Sequence, residues 1–428
     1  MDNRNYKKTK SRRRLKPGVL LIIIAVLIAV VVVVLIATNN KKEPEVQKAI
    51  MPNPQVVSTA TIGATGDILI HDPVFNSVAY SGYDFNPCFE VVAPYFSKPD
   101  LMLANLEVTC GGEDYGAYCG YPIFNCPDTI VSALANAGVD VCLTANNHSY
   151  DTGYDGMLRT LDIVSNNNLG HLGTRKTNTE PFVMVKQING IKIGMVNYTY
   201  DTRSYPEDQK SLNGITMRDE AQDLVNSFCY SDLNTLYSNI KNDLHHMDMV
   251  GADVKVVFLH WGDEYTDYPN DYEEEISQQV CELGADVIIG GHPHVVQEYR
   301  TLHSSTGHEC LCLYSMGNEI SNQRRQYMDG AETRGYTEDG LIFEVTISKF
   351  NNGKSKITGL RIIPTWVQLS GGQYTIIALD NEKSVDEWGS VLPEDCIESY
   401  NRTLDRLSDE YNAYRIKKKQ SEEPKTLG

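Results

Sequence analysis

The sequence predicts an α/β layered domain preceded by one membrane-spanning helix, and three observations carry that reading. Residues 18–37 are almost pure Val, Ile, Leu and Ala. From residue 56 onward, short β-branched or apolar runs alternate with helical patterns, as in α/β layers rather than an all-β sandwich. Polar clusters follow one expected strand after another, where α/β folds gather ligands and catalysts.

The apolar run is twenty residues long. At about 1.5 Å per residue it spans roughly 30 Å, the thickness of a bilayer core. A cleaved signal peptide has an apolar region of about 7–15 residues and a small-residue cleavage site. Thr38-Asn39-Asn40 offers no such site, so the run reads as an uncleaved anchor. Before it stand Arg4, Lys7, Lys8, Lys10, Arg12, Arg13, Arg14 and Lys16 against one acid, Asp2. By the positive-inside rule this flank stays in the cytoplasm and the rest is extracytoplasmic. The whole chain of 428 residues has net charge −18. Residues 1–37 carry +7, so the remainder carries −25. An acidic body excludes nucleic acid as a partner, because phosphate neutralisation needs a basic face. An anionic substrate must then be held locally, by metal or a small basic patch.

The expected organisation is a basic cytoplasmic segment (1–17), the transmembrane helix (18–37), a polar linker (38–55), the main domain (56–370), a C-terminal extension (371–414) ending in a helix, and a Lys- and Glu-rich disordered tail (415–428). Strands are expected at 59–65, 101–104, 139–144, 191–198, 254–260, 287–290, 311–315 and 341–347. Helices are expected at 128–137, with Asp128 as N-cap and Gly138 just past the end, and at 156–167, 219–246 and 272–283. Of the ten cysteines, Cys110, Cys119 and Cys126 cluster in a Gly- and Tyr-rich loop, where one disulfide is expected outside the cell. Cys142 reads as a small buried hydrophobe. Cys310 and Cys312 share one strand face and are not expected to pair.

The polar clusters are Gly66-Asp67, Asn105-Leu106-Glu107, Asn146-Asn147-His148-Ser149-Tyr150-Asp151, His260-Trp261-Gly262 and Gly290-Gly291-His292-Pro293-His294. Carboxylates, amide oxygens and several imidazoles together suit zinc, manganese or iron. A lone His is more often structural than ligating. His292 and His294 are a stronger signal, because Gly290 and Gly291 permit close backbone approach and both rings can face one ion.

In this order, the phrases "ATGDI", "LANLEVT", "GVDVCLTANNHSYDTG", "FLHWGDEY", "GADVIIGGHPHVVQ" and "LYSMGN" resemble the CapA/PgsA-type proteins of poly-γ-glutamate capsule synthesis, a family related to calcineurin-like metallophosphoesterases. The resemblance covers residues 60–318. It implies a four-layer α/β/β/α sandwich, a centre of one or two divalent transition ions (Mn, Zn or Fe), and as partners the membrane, membrane synthase subunits and an anionic polymer such as poly-γ-glutamate. Carried over, Asp67 binds the first ion and His294 returns to it. Glu107 takes the bridging place with Asn105 beside it, and Asn147, His260 and His292 hold the second ion. His148 is the general acid, oriented by Asp151. Two positions depart from the metallophosphoesterase pattern. Leu69 stands where Asp-x-His is usual, with His71 at the wrong offset to replace it, and Asn-x-Glu stands where Gly-Asp is usual. The implied function is an accessory role in capsule production with a hydrolase-like site. Alternatives are a phosphoesterase acting on a small phosphorylated substrate and a non-catalytic polymer-binding scaffold.

Overall fold

An unbroken apolar run cannot leave its backbone amides unpaired in lipid, and a helix satisfies them internally. In the computed structural model, residues Pro17–Asn39 form such a helix, long and apolar enough over Pro17–Thr38 to cross a membrane. The structure describes residues 17–39, 54–203, 209–328, 335–380 and 393–408. The basic segment, the linker from residue 40 to 53 and the 415–428 tail lie outside the described residues. The chain divides into two units between Asn53 and Pro54, and the second carries the chemistry.

The strands of that second unit run in chain order as follows. The first are β1 (Val56–Ile68), β2 (Leu101–Leu106), β3 (Val141–Leu143), β4 (Gly170–Leu172), β5 (Met184–Ile188) and β6 (Ile191–Tyr200). Then come the short β7 (Thr202–Arg203), β8 (Lys210–Leu212), β9 (Ile215–Thr216) and β10 (Ser227–Phe228), followed by β11 (Val254–His260) and β12 (Val287–Gly291). The last are β13 (Tyr299–His303), β14 (Glu309–Leu313), β15 (Asn318–Ile320), β16 (Asp339–Phe350), β17 (Ser355–Ser370) and β18 (Gln373–Ala378). One sheet has the order β18-β17-β16-β1-β2-β3-β4, with β15 on β1; another is β10-β6-β11-β12-β14-β13, with β5 on β6. Within the first sheet β1 to β4 are parallel, as are β6, β11, β12 and β14 in the second. Strands β7, β8 and β9 make a small third sheet.

Strand alternation sorts the side chains to two faces. Ala60, Ile62, Ala64, Leu101 and Leu103 of the first sheet share one core with Ile191, Ile193, Val254, Val256 and Phe258 of the second. The neighbours in sequence point the other way. Met102, Ala104 and Leu106 pack against Phe89, Phe96, Ile130 and Leu134 from helical segments. Val196, Tyr198, Val257 and Leu259 pack against Leu236, Ile240, Leu244, Ile276 and Val280, from helices Leu233–Met249 and Asp271–Glu282. Each sheet thus has helices on its outer face and a shared apolar core on its inner one.

Several expectations need correction. The helix expected at 219–246 is broken into Asp219–Gln222 and Leu233–Met249. Between them β10 pairs with the end of β6, and Asp232 caps the second helix by accepting from the Thr235 amide. Asp128 is the N-cap residue, but its side chain caps nothing; both carboxylate oxygens instead bind Arg159, at 2.6 and 2.8 Å. The strand expected at 311–315 begins two residues earlier, at Glu309. Cys110, Cys119 and Cys126 are free thiols rather than a disulfide. Cys110 and Cys126 are instead absorbed into the apolar core, and the Cys119 thiol donates to the Ile123 carbonyl. Cys142 is fully buried, and Cys310 and Cys312 face one core together. Beyond residue 370, β18 continues the first sheet, and helix Pro393–Leu407 follows.

Candidate metal centre

Both parallel sets of strands end on the polar clusters. Asp67 lies in β1 at a register shift, opposite Asn105 of β2 and Asn318 of β15. Such irregularities re-aim side chains near sites. Glu107 follows β2, Asn147 lies in the turn after β3, His260 is the last residue of β11, and His292 follows β12. Two glycines let these backbones meet. A Cβ on Gly290 would lie 1.9 Å from the Tyr314 carbonyl oxygen, and one on Gly291 would lie 3.0 Å from Asp67 Oδ1. His292 and His294 both have left-handed backbones, at φ 100° and 58°. That conformation is costly for non-glycine residues and recurs at functional sites.

All six residues expected to hold metal come together, and all are buried. His294 Nδ1 lies 3.1 Å from Asp67 Oδ2. His260 Nε2 lies 2.7 Å from Asn147 Oδ1 and 3.4 Å from Glu107 Oε1. The ligand atoms of Glu107, His260 and His292 lie within 4.8 Å of one another, as do those of Asp67, Glu107 and His294. Glu107 is common to both groups. Asn105 Nδ2 faces Asp67 Oδ1 at 2.7 Å and Glu107 Oε2 at 3.1 Å, and its Oδ1 accepts from Asn146 Nδ2 at 3.1 Å. Its amide hydrogens therefore orient two carboxylates.

The electrostatics describe a dry cluster. Burial pushes the Glu107 carboxyl well up, helped by the charge of Asp67. Burial also raises Asp67, but hydrogen bonding and charge from His294, with His260 and Asn105, hold it below the ordinary carboxylate range. Burial drives His260 down to about 3 and His292 well below its usual value. His260 is neutral, so its approach to Glu107 is not an ion pair. The neutral form is also the one that binds metals.

The residues present fit a divalent ion. Glu107 Oε1 and His292 Nδ1 are buried without a hydrogen-bond partner. A buried polar atom left unpaired costs about 1–3 kcal/mol, and Glu107 and His292 belong to the same candidate ligand group. Carboxylate, amide oxygen and imidazole are donors for Zn, Mn or Fe.

Beside this cluster, His148 Nδ1 lies 2.7 Å from Asp151 Oδ2. The same Asp151 oxygen accepts from the Phe124 amide at 2.7 Å. The Phe124 ring stands edge-on to His148, with centroids 4.7 Å apart. Sequence reasoning missed Asn213 here. From the turn between β8 and β9, its side-chain amide donates to Asp151 Oδ1 at 2.9 Å and to the Pro122 carbonyl at 2.7 Å. It also missed Tyr200, whose ring lies parallel to His260 at 6.5 Å and 4.8 Å from His292. Leu69 is buried and apolar. His71 does not replace the missing histidine: its Nδ1 accepts from the Asn322 amide at 3.3 Å, and its ring packs on Phe124.

Residues 61–323 match the family described as bacterial capsule synthesis protein PGA_cap. The PGA biosynthesis protein CapA of Bacillus subtilis (strain 168) is 24% identical over 320 residues, covering 74% of this chain and 75% of that protein. The capsule biosynthesis protein CapA of Bacillus anthracis is 27% identical over 267 residues, covering 61% of this chain and 60% of that one. Among solved structures, a putative 5'-nucleotidase from Staphylococcus aureus aligns with TM-score 0.39 and 14% identity over 79% of this chain and 58% of that one, and the purple acid phosphatase PPD1 from yellow lupin (Lupinus luteus) seeds with TM-score 0.31 and 9% identity over 71% of this chain and 53% of that one. The family match spans well over half of the sequence, from β1 to just past β15, and takes in every strand end that supplies the site: the chain belongs to the bacterial capsule synthesis protein PGA_cap family.

Proposed function

We propose that this chain is a membrane-anchored, extracytoplasmic accessory protein in the production of poly-γ-glutamate or a related capsule polymer, with a metal-dependent, hydrolase-like site. The observation that carries the catalytic part is the pair of buried, unpartnered polar atoms on Glu107 and His292 beside a complete His148–Asp151 hydrogen bond. In this reading Asp67 and His294 form one metal position and Asn147, His260 and His292 another, with Glu107 between them. A divalent ion there supplies Lewis-acid polarisation and makes water acidic enough to attack near neutral pH.

The chain's own residues do the rest. Asp151 accepts from His148 Nδ1, fixing the ring and leaving Nε2 as the atom that exchanges a proton with a leaving group. The amide of Asn105 keeps both carboxylates aimed at the centre. A purely structural metal site has no use for an oriented histidine beside it, which favours catalysis over a scaffold. The acidic body repels a polyanion, so the metal centre is the place where such a polymer is held. The Pro17–Asn39 helix anchors the chain, the basic N-terminal flank stays in the cytoplasm, and membrane synthase subunits are the neighbouring partners.

The test uses the full chain purified in detergent. Metal analysis after equilibration with Mn²⁺, Zn²⁺ or Fe²⁺ is expected to find at least one tightly held ion. Assays on poly-γ-glutamate and on a phosphoester panel are expected to show polymer cleavage that His148→Ala slows about 10²–10⁴-fold. A chain that retains no ion, or one that cleaves small phosphoesters and ignores the polymer, contradicts the reading. External protease on intact cells should remove the domain; full protection would reverse the topology.

A further inference from the structure

We propose that Glu264 is a metal ligand, forming with His292 and His294 an outward-facing position of the centre. This rests on the metal reading above and adds to it a residue from outside the six expected ligands. A carboxylate oxygen of Glu264 and one nitrogen from each histidine lie within 4.8 Å of one another, and Glu264 is exposed where the two histidines are buried. Two imidazoles and one glutamate are a ligand set that binds catalytic zinc and leaves positions open for water or substrate.

The backbone around Glu264 is built to hold it there. Gly262 has φ 86°, and a Cβ on it would lie 2.5 Å from Glu273 Oε1, so the chain turns sharply just after β11. Tyr265 has a left-handed backbone at φ 64°, a conformation an aromatic residue adopts only when its surroundings impose it. Its amide donates to the Pro293 carbonyl at 2.8 Å, and its hydroxyl accepts from Gln323 Nε2 at 3.1 Å. Pro293 lies between the two histidines. One hydrogen bond therefore ties the residue after Glu264 directly to the segment that carries its co-ligands. The left-handed residues Tyr265, His292 and His294 thus flank that one hydrogen bond, on the two loops that would share the ion.

Leu69 gives this chain an apolar side chain near Asp67 in place of a donor, and Glu264 supplies a donor from the second sheet instead. The centre so completed keeps a buried inner part around Glu107 and gains a solvent-facing carboxylate at its rim.

The experiment is a Mn²⁺ titration of the full-length chain in detergent, following loss of the free-ion electron paramagnetic resonance signal. Glu264→Gln keeps the shape and removes the charge. Loss of a direct ligand should cost no less than loss of an outer-shell partner, about 10-fold or more in affinity. Glu264→Gln is expected to bind one Mn²⁺ fewer or to bind at least about 10-fold more weakly, with the metal-free melting temperature unchanged because the side chain is exposed. Asp263→Asn removes an adjacent charge without removing a ligand and should titrate like the parent. Parent-like stoichiometry and affinity in Glu264→Gln would overturn this proposal alone. An equal weakening in Asp263→Asn would also overturn it, by showing that charge near the site and not ligation is at work. A parent chain that binds no Mn²⁺ would overturn the metal reading and this proposal together.

Discussion

Asn147 and His148 are adjacent in sequence, yet their substitution to alanine should fail in different ways. Asn147 Oδ1 accepts from His260 Nε2 at 2.7 Å. Its removal leaves a buried N–H unpaired, at a cost of about 1–3 kcal/mol. His148→Ala removes one donor to Asp151, but the Phe124 amide and the Asn213 side chain remain at 2.7 and 2.9 Å. The metal-free variants should thus lose comparable stability, and metal separates them. An ion present at about 100 times its Kd stabilises the parent by roughly 2.7 kcal/mol. At about 2–4 °C per kcal/mol for a large domain, that is a rise in Tm of roughly 5–10 °C. His148→Ala should keep this rise and its bound ion while turnover falls about 10²–10⁴-fold. Asn147→Ala should lose both the ion and the rise. Thermal melts with and without Mn²⁺, paired with metal analysis, decide the matter. Equal loss of the metal-induced rise in both variants would show that His148 is a ligand, and the division of roles would be wrong.

Three further outcomes are expected. Glu319 is buried, and burial raises its carboxyl to about 7 despite hydrogen bonds from Thr65 and Thr365. Its folded value lies above its unfolded one, so the stability it contributes is complete below about pH 4.5 and is lost as pH rises through about 7, by roughly 3 kcal/mol. Glu319→Gln should remove that loss, and denaturant melts from pH 4.5 to 8 that keep the parent slope would refute it. Gly290→Ala should destabilise by about 1–3 kcal/mol or more, because its Cβ would meet the Tyr314 carbonyl and the Trp261 indole nitrogen; a parent-like melting temperature would contradict this. Burial raises the Cys142 thiol to about 12, so Cys142 should resist alkylation in the native protein and react only after denaturation, which peptide mapping will show.

The strand-end clusters were legible because parallel strands deliver their C-terminal residues to one edge, whatever lies between them in sequence. That is why Asp67 and His294, far apart in the chain, come within 3.1 Å. Alternation was equally legible, since Met102 and Leu103 serve different cores. The break between residues 222 and 233 was not, because β10 exists only through its pairing with β6. Asn213 was invisible for a related reason. It sits on a turn between very short strands, and its importance lies wholly in contacts with Asp151 and Pro122. Glu264 lay inside a phrase already singled out, four residues past His260, but an exposed acid in a loop carries no signal until His292 and His294 are seen beside it. The cysteine loop misled because spacing shows proximity, while core packing decides whether thiols are spent on bonds or on burial.

The centre draws its groups from both sheets: Asp67, Glu107 and Asn147 from the first, His260, His292 and His294 from the second. Both groups that contain Glu107 span the two sheets, so an ion held by them would be gripped only after the two have docked. Where that docking follows the folding barrier, metal capture comes late on the folding route. An interaction absent from the transition state changes the rate of unfolding and leaves the rate of folding alone. The ion would then act as a latch, setting how long the folded domain lasts and not how fast it forms.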